Sequence, residues 1–167
     1  MEVASSAITI IGTALFLTQE ATALLREYRD YDQSINRLHR KSKGAAQKFR
    51  LIQSALNARE NQLEEEKSGE NNWRLAEMEK QIWQGITRAT IEYEEAVKSF
   101  IKEGQKDRPR PGLASFMITM TMRRCIKRRE STFEKYGHDI DEFFQLVIFH
   151  LTHLLPYVQP IPISDQR

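Results

Sequence analysis

The chain has 167 residues, enough for one domain with a real hydrophobic core. Lys and Arg number 25 against 23 Asp and Glu, a formal net charge of +2, which excludes the strong basic excess of a dedicated nucleic-acid binder. Only 7 Gly and 5 Pro disfavour a many-stranded sandwich or barrel, and the single cysteine, Cys125, excludes an internal disulfide or a multi-cysteine zinc site and suits a reducing compartment.

Val3 to Gln19 is a run of 17 residues with no charge. It lacks the basic residues that precede the apolar core of a secretory signal. Its length is at the bottom of the bilayer-spanning range, and Ser5, Ser6, Thr9, Gly12, Thr13 and Thr18 dilute its hydrophobicity. A constitutive transmembrane helix is therefore the weaker reading. A buried first helix is the plain one, and a helix buried in one state and membrane-inserted in another is the sharper one. The segment from Val3 to about Arg29 is helical by composition, with Ile8, Ile11, Leu15, Ala21, Leu24, Leu25 and Tyr28 mostly at helical steps. Gly12, beside Ala7 and Ala14, reads as a packing or flexibility site.

Asp30 or Asp32 is placed to cap a second helix running to about Lys67. Ile35, Leu38, Ser42, Ala45, Phe49, Ile52, Leu56, Arg59 and Leu63 form its inward stripe, and Arg37, Arg40, Lys41, Lys43, Lys48 and Arg50 its outer face. The polar run after Glu66 is a helix-to-helix loop. Trp73 to about Lys102 is a third helix, with Leu75, Met78, Ile82, Ile86, Ala89, Tyr93, Val97, Phe100 and Ile101 inward and Trp83 at the flank.

Gly104 to Gly112 breaks the chain with two prolines and two glycines. Leu113 to about Leu155 is helical again, with an interruption expected near Gly137. Pro156, Pro160 and Pro162 make 156–167 an extended tail. The expected fold is all-α: an up-down bundle of four long helices over residues 1–155, with the Pro-containing tail behind it.

Charge is uneven. From Lys102 to Arg129 there are nine Lys and Arg against two acids; from Glu130 onward there are two against six. Arg123, Arg124, Lys127, Arg128 and Arg129 are the centre of the basic block. It reads as a solvated helix face or, more sharply, as a contact for anionic lipid headgroups. The aromatic and glycine signature of a nucleic-acid module is missing. Phosphate-binding glycine loops are absent, Cys125 has no catalytic context, and His150 and His153 lack the Glu-x-x-His companions of a bundle metal site. No enzyme, cofactor or metal is expected.

The order of features resembles the HeLo-like N-terminal domains of fungal signalling and cell-death proteins. The features are the small apolar helix Ala7 to Leu15 with its one glycine, the exit Leu25-Arg26-Glu27-Tyr28-Arg29, and the long second helix with Leu38, Phe49, Ile52, Leu56 and Leu63. Trp73, the Tyr93, Val97, Phe100 pattern and the basic stretch before long last helices complete them. The resemblance implies a membrane-targeting bundle of programmed cell death, of the heterokaryon-incompatibility kind. Related bundles occur in mixed-lineage-kinase-like pseudokinases and plant coiled-coil immune receptors. It implies a cytoplasmic protein that forms a homo-oligomer, moves to the plasma membrane and inserts its first helix when a regulatory signalling partner activates it. Such bundles usually head a larger protein, so this chain is expected to be a piece, a truncated product or a stand-alone form of one. Ile8, Ile11, Gly12, Leu15 and Phe16 are then the insertion residues, and the five cations from Arg123 to Arg129 the headgroup contact. The alternative is a soluble interaction or oligomerisation module.

Overall fold

The computed structural model describes residues 2–66, 73–106, 109 and 112–154. The described chain is helical: α1 (Glu2–Tyr28), α2 (Gln33–Glu66), α3 (Trp73–Gly104), α4 (Ser115–Arg128) and α5 (Glu130–Leu154), with no strand among the described residues. The expected tail, the loop after Glu66 and the side chains of Leu63, Trp73 and Leu75 lie outside the described residues.

Local chemistry sets the starts. Asp32, not Asp30, caps α2: its Oδ1 accepts from the Ser34 N–H at 2.7 Å and the Ile35 N–H at 3.3 Å. Its carboxyl is held below the usual range, first by the Ser34 hydroxyl that also donates to it.

α1 packs against both α2 and α3, and α5 closes the bundle against α3 and, less extensively, α2. The core joins all of them. Phe49 of α2, Tyr93 of α3 and Phe143 and Phe144 of α5 meet with ring centroids 4.7 to 5.4 Å apart. Phe100 stacks on Tyr136 at 4.2 Å with rings 7° from parallel. The inward stripe of α2 is buried from Ile35 to Arg59, apart from a partly exposed Leu38.

Three expectations need correction. The expected fourth helix is two helices, and the break is at Arg129. Gly137 lies buried within α5, where a Cβ would sit 3.2 Å from Leu38 Cδ1. The glycine there lets α2 and α5 approach; it does not end a helix. Arg129 takes φ −115° and ψ 18°, and its N–H is shared by the Cys125 and Ile126 carbonyls, each at 3.1 Å. Met78 is half exposed, and Glu79 and Trp83 occupy the buried positions instead. The reason is an ion pair: Arg59 of α2 meets Glu79 of α3 through Nε at 2.9 Å and Nη2 at 3.1 Å, with both side chains buried. Finally, Ile148 of α5, which helical spacing puts on one wide apolar face with Ile140, Phe143, Phe144, Val147 and Leu151, is exposed.

Candidate functional site

The first candidate is α1. Its inward face is apolar, and hydroxyls join it to α2 and α3 and, through Ser42 of α2, to α5. Thr18 Oγ1 and Tyr93 Oη are 2.8 Å apart, Thr22 Oγ1 and Ser42 Oγ 2.7 Å, and Ser42 Oγ and Tyr136 Oη 2.8 Å. Side chains of α1, α2, α3 and α5 thus share one buried polar seam. Burial pushes the Tyr136 phenol up to about 12 and raises that of Tyr93 further, so both stay protonated. At the end of α1, Tyr28 donates to the Gly104 carbonyl at 2.9 Å. Nothing in the hydropathy pattern marks this seam; its only sequence trace is Ser42 sitting within an apolar stripe.

The expected insertion residues do not share one surface. Ile11 is fully buried, while Ile8 and Leu15 are partly buried against the core. Phe16 is 58% exposed. Gly12 faces α2, where a Cβ would meet Gln53 Nε2 at 3.2 Å. More telling is the solvent side of α1 over residues 5–19: Ser5, Ser6, Thr9, Thr13, Phe16 and Gln19 are exposed and none is charged, and exposed charge enters only from Glu20 onward, with Arg26 and Glu27. The exposed faces of α2 and α3, by contrast, carry Arg37, Arg40, Lys43, Lys48, Arg88, Glu92, Glu95 and Lys98. α1 is also the one described helix long and apolar enough to cross a membrane, over Ser5–Tyr28 at a mean hydropathy of 1.5.

The second candidate is the basic cluster. Arg123, Arg124, Lys127 and Arg128 are exposed on α4. Arg129 is set apart: its guanidinium is mostly buried and pairs with Glu103 at 3.1 Å. Glu103 also pairs with Lys106 at 2.7 Å, and its carboxyl is lowered by Lys106 first and Arg129 second. Arg123 and Lys127 line a groove of about 850 Å³ between α2, α4 and α5, whose acids are Asp32, Glu130, Glu134 and Asp141. Cys125, on the same helix, is buried.

The structure does not bring the two sets together. Tyr28 packs on Phe133 at 5.7 Å, so the end of α1 lies beside the α4–α5 junction. Ile8 to Phe16 sit 12 to 20 residues before Tyr28, roughly 18–30 Å back along the helix axis. Among the described residues no group of three His, Cys, Asp or Glu side chains is placed to hold a metal ion. No protein-family model, no curated protein and no solved structure matches the chain.

Proposed function

We propose that this chain is a non-enzymatic, membrane-targeting helical bundle that stores α1 in its core and transfers it to a bilayer. The uncharged solvent side of residues 5–19 of α1 carries the reading. A helix that only ever packs on a soluble bundle gains from charges on its outer face, as α2 and α3 illustrate. A helix bound for lipid loses roughly 2.5–3.5 kcal/mol for each charge carried to the bilayer centre. Residues 5–19 of α1 are compatible with both states; the exposed faces of α2 and α3 are compatible with one. The HeLo-like order of features adds homo-oligomerisation, a cell-death role, a move from cytoplasm to plasma membrane and an up-down arrangement of four long helices to the proposal.

The test adds charge where folding does not feel it. Thr13 and Phe16 are exposed, so Thr13→Lys/Phe16→Lys leaves the melting temperature within a few degrees, as surface changes of about 0.5 kcal/mol or less do. Dye release from anionic liposomes, driven by the unaltered chain, is expected to disappear. Release that persists in the double variant, or none from the unaltered chain, overturns the reading. Exposed Ile148 and Phe149 on α5 favour the second reading, an oligomerisation module, and a stable dimer indifferent to lipid on light scattering is its signature.

A further inference from the structure

The basic cluster of α4 is only half of that helix's exposed face. Phe116 is 70% exposed, Met117 49% and Met120 42%. With Arg123, Arg124, Lys127 and Arg128 they fall within an arc of roughly 140°, at about 100° per residue. The first two turns of this face are apolar and the last two cationic, and α4 contains no acid. Met122, Cys125 and Ile126 hold the opposite side to the bundle. None of the principal helix packings involves α4, which rides on the end of the bundle where α1, α3 and α5 meet.

We propose that α4 is an interfacial docking helix. Through it the folded bundle binds an anionic lipid surface before α1 moves, a step that rests on the membrane reading above. Phe116, Met117 and Met120 enter the boundary between headgroups and acyl chains. The four cations stay at the headgroups, where Arg and Lys keep their charge wet while their stems remain in apolar surroundings. Two features favour lipid over a protein partner. Its apolar part is three flexible or flat side chains standing on the outer side of one helix, which suits a deformable surface. Its charge has one sign, and Arg124 and Arg128 lie outside the groove that holds Glu130 and Glu134, so both are available to anions. Ile8–Phe16 lie roughly 18–30 Å back along α1 from Tyr28, which packs beside the α4–α5 junction, so docking and insertion are separate events.

The experiment locks α1 so that only docking is read. Thr22→Cys/Ser42→Cys, in a Cys125→Ala background, replaces hydroxyls 2.7 Å apart and ties α1 to α2 when oxidised. The locked protein is expected to cosediment with phosphatidylserine-containing vesicles, not with phosphatidylcholine alone, and to release no dye. Arg124→Gln/Lys127→Gln/Arg128→Gln is expected to weaken binding roughly 100-fold at low salt, from three cations near an anionic surface. Phe116→Ser/Met117→Ser/Met120→Ser is expected to weaken it roughly tenfold with the charge intact. Melting temperatures of both variants stay at the locked parent's, because every altered side chain is exposed. Docking through α4 is overturned if the locked parent does not bind, or if both variants bind as it does. It is also overturned if the apolar variant loses a concentration-dependent dimer instead, which makes this face a contact with a second copy. Dye release by the unlocked chain judges α1 separately: release without α4-dependent binding removes only the docking step, and binding without release removes only the insertion step.

Discussion

At the scale of single residues the most exacting feature is the Arg59–Glu79 pair. Two charges withdrawn from water are tolerated only when each satisfies the other, and here the guanidinium grips both carboxylate oxygens. Trp83 Nε1 also donates to Glu79 Oε1 at 3.4 Å, and Gln62 Oε1 accepts from Arg59 Nη1 at the same distance. Glu79→Ala is expected to destabilise the fold by roughly 3–5 kcal/mol, since it leaves the guanidinium buried without its carboxylate. Arg59→Met/Glu79→Leu, which removes both charges and keeps the volume, is expected to recover most of that loss in urea melts. A double variant as unstable as the single one means that the pair fixes helix register and does more than satisfy its own charge.

At the scale of elements, glycine position decides the sign of one substitution. Gly12 and Gly85 both sit inside helices, where Ala is favoured by about 1 kcal/mol. A Cβ at Gly12 meets only the movable end of Gln53, so Gly12→Ala is expected to raise the melting temperature slightly. At Gly85 a Cβ overlaps the His150 ring, so Gly85→Ala is expected to lower it. A loss of stability at Gly12 shows that Gln53 cannot yield. The same contrast explains what the sequence made legible. Helix stripes and ends were readable because periodicity and capping act over a few residues: α1, α2 and α3 begin and end within two residues of expectation. Gly137 misled because a glycine needed for close α2–α5 approach has the same one-letter trace as a helix breaker. The break at Arg129 carried no trace at all, being neither Gly nor Pro and keeping its hydrogen bonds. Of the site, the cations of α4 were visible as a run of charge. Phe116, Met117 and Met120 were not, because apolar residues on a helix look the same whether the bundle covers them or leaves them bare.

At the scale of the whole molecule, two histidines set a limit on acid stability. His39 is buried, and its Nε2 has no hydrogen-bond partner among the described residues. Burial lowers its pKa, and Arg29, Arg26, Lys43 and Arg40 lower it further. His150, packed on Gly85, is lowered by burial and then by His153. A histidine whose folded pKa lies below its unfolded value of about 6.5 binds more protons unfolded than folded as pH falls through that value. Stability is therefore expected to be full above about pH 7.5 and to decline below about 6.5, with a lower urea midpoint at about pH 5.5. His39→Leu is expected to flatten the decline. An unchanged slope in that variant assigns the loss to His150 or to carboxylates titrating lower. The net charge of +2 at pH 7 rises with the same protonation, so acid loosens the bundle while it strengthens attraction to an anionic surface.

The hydroxyl seam has a direction. A carbonyl can only accept, so the Thr18 proton, aimed at the Ala14 carbonyl at 2.7 Å, is committed there, as the Thr22 proton is to the Thr18 carbonyl at 2.7 Å. Thr18 must then receive its second bond from Tyr93, and Thr22 from Ser42; Ser42, having donated, must receive from Tyr136. Every proton that crosses between α1 and a neighbour comes from the neighbour. The neighbouring helices are donors, and α1 is the sink. In the proposed transfer α1 would carry its carbonyl partners with it and remain satisfied within its own backbone, while Tyr93 and Ser42 would be left as donors facing an emptied core. The cost of the proposed release would thus fall on the helices that stay behind, and α1 would enter lipid with its threonine protons already placed.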